Sequence, residues 1–233
     1  MNRAPPLTPT NKVILIALVA LFVLNAIGDA TAAFSVVGWL GLYPMDWFPV
    51  RLYTLVTYPF VETQLMGVLF NGLILWFLGS ELERTWGRAL YVRFLLTTLV
   101  LAGLCYGVVG STLLGGTRMS GGVLVGTAGV TYALCVAYAV LYPDREFLMM
   151  FAFPVKARWF CLIMAGVELY MGLFSGNPAA WGHIFSMAVA FVLIRYQNWG
   201  AIKWWFAPRS STPRKKGGKL RLVEEDDKPK YWH

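Results

Sequence analysis

The chain is short of charge. Of its 233 residues 14% are Asp, Glu, Lys or Arg and 58% are hydrophobic, whereas about a quarter of a soluble globular domain is charged. The shortage is concentrated. No charged residue lies between Arg93 and Arg118, between Arg118 and Asp144, or between Glu168 and Arg195. Each gap exceeds the roughly 20 residues that a spanning helix needs. That excludes a soluble fold and identifies an all-α polytopic membrane protein. Cysteine is scarce too. Cys105, Cys135 and Cys161 all fall in apolar stretches, where a thiol behaves as a small hydrophobe, so no disulfide framework is implied. Histidine is scarcer still, with only His183 and His233. No metal centre, no cofactor and no internal repeat is expected.

Six apolar spans are present, at about 13–33, 64–82, 90–109, 122–142, 157–174 and 178–196. The first is too long for a signal-peptide core of about 7–15 residues, and reads as a retained helix. An even number of spans puts both termini on one side. Eighteen of the twenty lysines and arginines then fall on that side, with only Arg51 and Arg118 opposite. Such an excess marks the terminal side as cytoplasmic. It also accounts for the net charge of +8 without nucleic acid.

The expected organisation is a cytoplasmic N-terminus (1–12), a six-helix membrane domain (13–196), an interfacial aromatic anchor (197–206) and a disordered cytoplasmic tail (207–233). The tail's Arg214, Lys215 and Lys216 could hold anionic lipid, although a solvated tail obeying the orientation rule is the simpler reading. Between the first two spans, residues 34–63 carry Trp39, Tyr43, Trp47, Phe48, Tyr53, Tyr58 and Phe60. Rings of this kind favour the headgroup level, so the segment is expected to fold within the outer leaflet.

Ionisable groups inside a membrane helix are costly and call for a reason. His183 stands near the start of the sixth span, about 7–8 Å below Pro178 at 1.5 Å per residue. Gly182, Ser186 and Ala190 repeat every four residues beside it, a small-residue face that admits a close neighbour. The fourth span offers a match in Gly122, Gly126, Gly129, Ala133 and Ala137. Packed together, the two would hang His183 over the Gly126–Gly129 segment, with Tyr132 one turn below Ala128 to support the ring. Asn71 adds an amide to the apolar second span. Glu168, roughly 10 Å in from the end of the fifth span, could face a hydrated cavity or the substrate gate, although a partly wet carboxyl near the outer interface is the plainer reading.

The run Gly126-Thr127-Ala128-Gly129-Val130-Thr131-Tyr132, followed by His183, resembles the rhomboid intramembrane proteases, whose motif is Gly-x-Ser-Gly with an aromatic four residues after the serine. Further resemblance lies in Arg51 to Phe60, in Phe70-Asn71, in Gly79 to Gly87, and in Pro154 to Trp159 before the fifth helix. It covers about residues 45–196, with the motifs in the family's order.

The resemblance implies a six-transmembrane-helix rhomboid-like bundle with a membrane-embedded first loop. It also implies a Ser–His dyad that cleaves transmembrane-helix substrates, which enter between the second and fifth spans. His183 would be the general base and residue 128 the nucleophile position. Asn71 and backbone N–H groups near residue 128 would be the oxyanion donors, supported by Gly126, Thr127, Gly129 and Tyr132. Resemblance to bacterial members and the short chain point to a bacterial inner membrane.

Two positions depart from the pattern. Ala128 carries a methyl where the nucleophile belongs, which excludes catalysis by this chain. Thr127, about 100° away around the helix, is no substitute. Gly67 stands where the family often has a histidine, removing one oxyanion donor.

Two explanations fit Ala128. It is either a serine-to-alanine change made to trap an enzyme, which the retained His183, Asn71 and Tyr132 favour, or the mark of a natural pseudoprotease that binds or remodels transmembrane clients. The partners in either case are transmembrane proteins and the bilayer. A small transporter is disfavoured, because no pair of broken helices recurs in two related halves.

Overall fold

A backbone in hydrocarbon must satisfy its polar groups within its own segment, so apolar runs become helices. The computed structural model describes residues 6–44, 51–112, 122–149 and 153–196. Trp47, Phe48, Arg118, the expected anchor (197–206) and the tail (207–233) lie outside them. Four helical stretches are long and apolar enough to cross a membrane. These are α1 (Pro9–Thr31), the second span (Leu65–Trp86), α6 (Arg88–Thr112) and α9 (Pro178–Tyr196). Two shorter helices lie at the fourth and fifth spans, α7 (Ala128–Leu141) and α8 (Ala157–Leu173).

Helix α7 is the axis of the packing. Every residue from Gly129 to Ala139 except Tyr132 is buried, as expected of a helix that is apolar all round. It packs mainly on α9, and α8 and α6 also border it. The other helices turn large side chains outward. Val13, Ile16 and Val23 on α1, and Trp159, Leu162 and Ile163 on α8, are among the exposed apolar residues.

The described part of the segment after α1 is folded. It contains α2 (Val36–Leu40), α3 (Thr54–Thr57) and a 3₁₀ turn (Tyr58–Phe60), and it buries Val36, Leu42, Leu55 and Tyr58. This loop corrects the fourth span, which was expected as helix from residue 122. The helix begins only at Ala128. Leu124 instead pairs antiparallel with Leu42 through N–H···O bonds of 3.0 and 2.8 Å. Gly126 then takes φ +106°, a conformation no helix accepts. Gly122 and Gly126 therefore belong to an arm docked on the first loop, and Gly122 packs against Pro178.

The second span changes pitch. Helix α4 (Leu65–Ile74) runs through a π-helical segment (Leu75–Gly79) into α5 (Ser80–Trp86), and Gly87 turns the chain directly into α6. A polar knot sits at this change. Asn11 donates from Nδ2 to Glu83 Oε2 (3.2 Å) and accepts the Tyr91 hydroxyl on Oδ1 (2.7 Å), while Thr10 donates to Glu83 Oε1 (2.5 Å). Asn11 and Glu83 are 0% and 5% exposed. A buried polar group stripped of its partner loses its full desolvation energy. Asn11→Leu is accordingly expected to destabilise the fold by about 3 kcal/mol, read as a lowered unfolding midpoint in mild detergent.

One feature departs from an all-α chain. Strands β1 (Glu146–Met149) and β2 (Phe153–Lys156) form an antiparallel hairpin, with Glu146 opposite Lys156, that leads directly into α8.

Candidate functional site

Gly126 sets up the site. Its positive φ suits glycine alone without strain, and its N–H donates to Tyr58 O at 3.1 Å. Thr127 follows, 2% exposed, with its hydroxyl donating to Pro59 O at 2.6 Å. That side chain is held on the first loop, away from His183, and Ala128 then opens α7 as a half-buried methyl.

The backbone N–H of Thr127, freed by the end of the helix, points at a carboxylate. Glu62 Oε1 accepts it at 2.8 Å and accepts Asn71 Nδ2 at 2.9 Å. Asn71 is fixed in turn, because its Oδ1 accepts the Thr131 hydroxyl at 2.9 Å. Glu62 is 7% exposed. Room for it exists because residue 67 is glycine, where a Cβ would stand 2.5 Å from Glu62 Oε2. The donors expected to face a substrate oxyanion, the Asn71 amide and a backbone N–H beside residue 128, are thus both bonded to the chain's own carboxylate.

On the other flank stands His183. Gly129 lets α9 come close, since a Cβ there would lie 2.8 Å from Ser186 Oγ and 3.9 Å from His183 Cδ2. The imidazole therefore lies beside the first turn of α7. Tyr132 meets the ring edge-on, with centroids 5.3 Å apart and planes at 77°. His183 Nδ1 is 3.0 Å from Glu168 Oε2, and the two side chains are 14% and 10% exposed. This corrects the reading of Glu168 as a wet interfacial carboxyl. It is buried and holds the histidine.

Sequence reasoning missed Glu62 and misplaced Glu168. For Glu168 a signal existed. It lies five residues before the end of α8 and His183 five residues after the start of α9, so the hairpin brings both to one depth. For Glu62, three residues before α4 begins, no periodicity points inward.

The arrangement accepts hydrogen bonds and offers no hydroxyl or thiol at residue 128. Among the described residues no group of three His, Cys, Asp or Glu side chains could hold a metal. A cavity of about 180 Å³ backs onto Thr127 and Val130, lined by apolar side chains such as Ile14, Leu95 and Leu99, and offers no further chemistry.

Comparison with known proteins places the sequence among rhomboid-like proteins. The chain is 28% identical to rhomboid-like protein 19 of Arabidopsis thaliana over 167 residues, covering 70% of this chain and 54% of that one. It is 30% identical to the rhomboid protease GlpG of Salmonella choleraesuis (strain SC-B67) over 201 residues, covering 82% and 64%. The chain thus spans between about half and two thirds of the length of these relatives. A plant and a bacterium are both represented, so the matches do not single out the bacterial inner membrane. The family described as eukaryotic integral membrane protein (DUF1751) matches residues 12–199. With four-fifths of its length matched, the chain belongs to this family of rhomboid-like integral membrane proteins.

Proposed function

We propose that the protein is a non-proteolytic rhomboid-like membrane protein that holds transmembrane helices of client proteins between α4 and α8. One observation carries this reading. Glu62 fills the hydrogen-bond donors that a protease would turn toward a substrate oxyanion, beside a residue with no nucleophilic atom. A serine-to-alanine change made in a working protease would leave those donors open. Here a second, independent residue closes them.

The packing supports a binding place between α4 and α8. Helices α4 and α8 share no extensive contact, and both turn large apolar side chains outward, among them Met66, Leu69 and Phe70 on α4 and Leu162, Val167 and Tyr170 on α8. A client helix laid there would cover lipid-facing surface on both. The lysine and arginine asymmetry puts the termini on the cytoplasmic side.

A second reading keeps one observation in its favour. The Tyr132–His183–Glu168 arrangement is what a general base would need, so an intramembrane serine protease seen without its serine is the competing function. Photo-crosslinking separates the two. A photoreactive residue placed at Phe70 or Leu162 in reconstituted protein is expected to capture an intact single-span test helix, while one at Ile16 on α1 captures little. Equal capture at all three positions, or recovery of the helix in two pieces, would end the client-holding proposal.

A further inference from the structure

The carboxylate that closes the site has a free edge. Two N–H donors converge on Glu62 Oε1. Its Oε2 has no hydrogen-bond partner among the described residues and lies over Gly67, where no side chain stands. The residue is nonetheless more than nine-tenths buried, and a buried carboxylate calls for a partner. Among the described residues no lysine, arginine or histidine pairs with it. Among the described residues of the first loop the one guanidinium, Arg51, donates from Nη1 to Gly38 O. His183 is held by Glu168, and among the described lysines and arginines the rest stand at the terminal ends of the helices. Glu62 is reached over Gly67 on α4, whose neighbours Met66 and Phe70 are exposed. That open edge of the carboxylate faces Gly67 on α4, one of the two helices between which a client helix would lie.

We propose that the Glu62 carboxylate receives a lysine or arginine side chain carried by a client's transmembrane helix, which approaches over Gly67 between α4 and α8. The proposal rests on the client-holding reading above and names the chemistry that selects the client. A basic residue inside a single-span helix is itself without a partner in lipid. Pairing it with Oε2 satisfies both charges at once, while Oε1 keeps its two protein donors. A long flexible stem suits the task, since the apolar part of Lys or Arg can cross the helix surface and deliver only its head. The level is set by Asn71, which bonds Glu62 and lies six residues into α4, roughly 9 Å below the start of that helix.

The test uses the full chain in phosphatidylcholine vesicles, with energy transfer from labelled protein to labelled Leu/Ala-based single-span peptides. Three peptides carry Lys, Leu or Glu six residues from the end that meets the start of α4. The Lys peptide is expected to bind at least ~10-fold more tightly than the Leu peptide, the scale of a close charge pair, and the Glu peptide more weakly than either. In Glu62→Gln the three should bind alike. Should that variant not fold, moving the Lys to the centre of the peptide supplies the control, since the advantage must vanish on the unsubstituted protein. Equal binding of Lys and Leu peptides overturns this inference and leaves client holding intact. A Lys preference that survives Glu62→Gln also overturns it. Binding of none of the peptides removes both.

Discussion

Ala128→Ser alone is expected to leave the protein unreactive toward a fluorophosphonate, and adding Glu62→Ala is expected to raise labelling at residue 128 at least ~100-fold. Position 128 lacks only an oxygen, and His183 lies beside that turn of α7 with its Nδ1 on Glu168 at 3.0 Å. The obstacle is the charge next door. A tetrahedral adduct needs its oxygen where Glu62 Oε1 already sits, 2.8 Å from Thr127 N and 2.9 Å from Asn71 Nδ2.

Losing even one of the two occupied oxyanion donors costs about 3 kcal/mol. A carboxylate held about 4 Å from the developing oxyanion adds about 4 kcal/mol of repulsion at an effective dielectric of 20. Together they slow the step by about five orders of magnitude, which hides any labelling from the single variant. Removing the carboxylate restores the donors and abolishes the repulsion. Gel fluorescence after probe treatment reads both variants, with native-like unfolding midpoints as the control. Equal labelling of the single and double variants would show that Glu62 bars nothing.

That expectation also marks where sequence reading stops. Charge gaps locate the helices because hydrocarbon tolerates few charges, and small residues at 129, 133 and 137 on α7 and at 182, 186 and 190 on α9 show which surfaces can approach. Tertiary contacts decide what hydropathy cannot. Residues 122–127 are apolar enough to continue a helix, but Leu42 and Tyr58 take their backbone hydrogen bonds, so the fourth span starts at Ala128. The glycine at 67 is legible as a missing donor. What fills its space is legible only in three dimensions, because Glu62 lies before its helix and reaches in from the first loop. Glu168 could have been matched to His183 by depth across the hairpin, yet a lone carboxyl near a helix end reads more simply as solvated.

The second large effect concerns that pair. His183→Leu and Glu168→Leu are each expected to destabilise the fold by about 3–4 kcal/mol, whereas the double variant should lie within about 1 kcal/mol of the unsubstituted protein. The asymmetry follows from burial. With side chains 14% and 10% exposed, removing either partner strands the other where water cannot fully replace the 3.0 Å contact. Replacing both with apolar side chains strands neither of them, and only the Tyr132 hydroxyl beside Glu168 loses a polar neighbour.

A double-mutant cycle on unfolding in mixed micelles reads the coupling directly, and at least about 5 kcal/mol is expected, the two single losses less that of the double. The result also bears on function. If the histidine is retained for packing across α7, α8 and α9, then capture of a test helix at Phe70 should survive the double variant unchanged. Additive single losses with no recovery in the double would mean that the pair does not act as a unit. The imidazole would then need a role outside the fold's stability, and the protease reading would regain its ground.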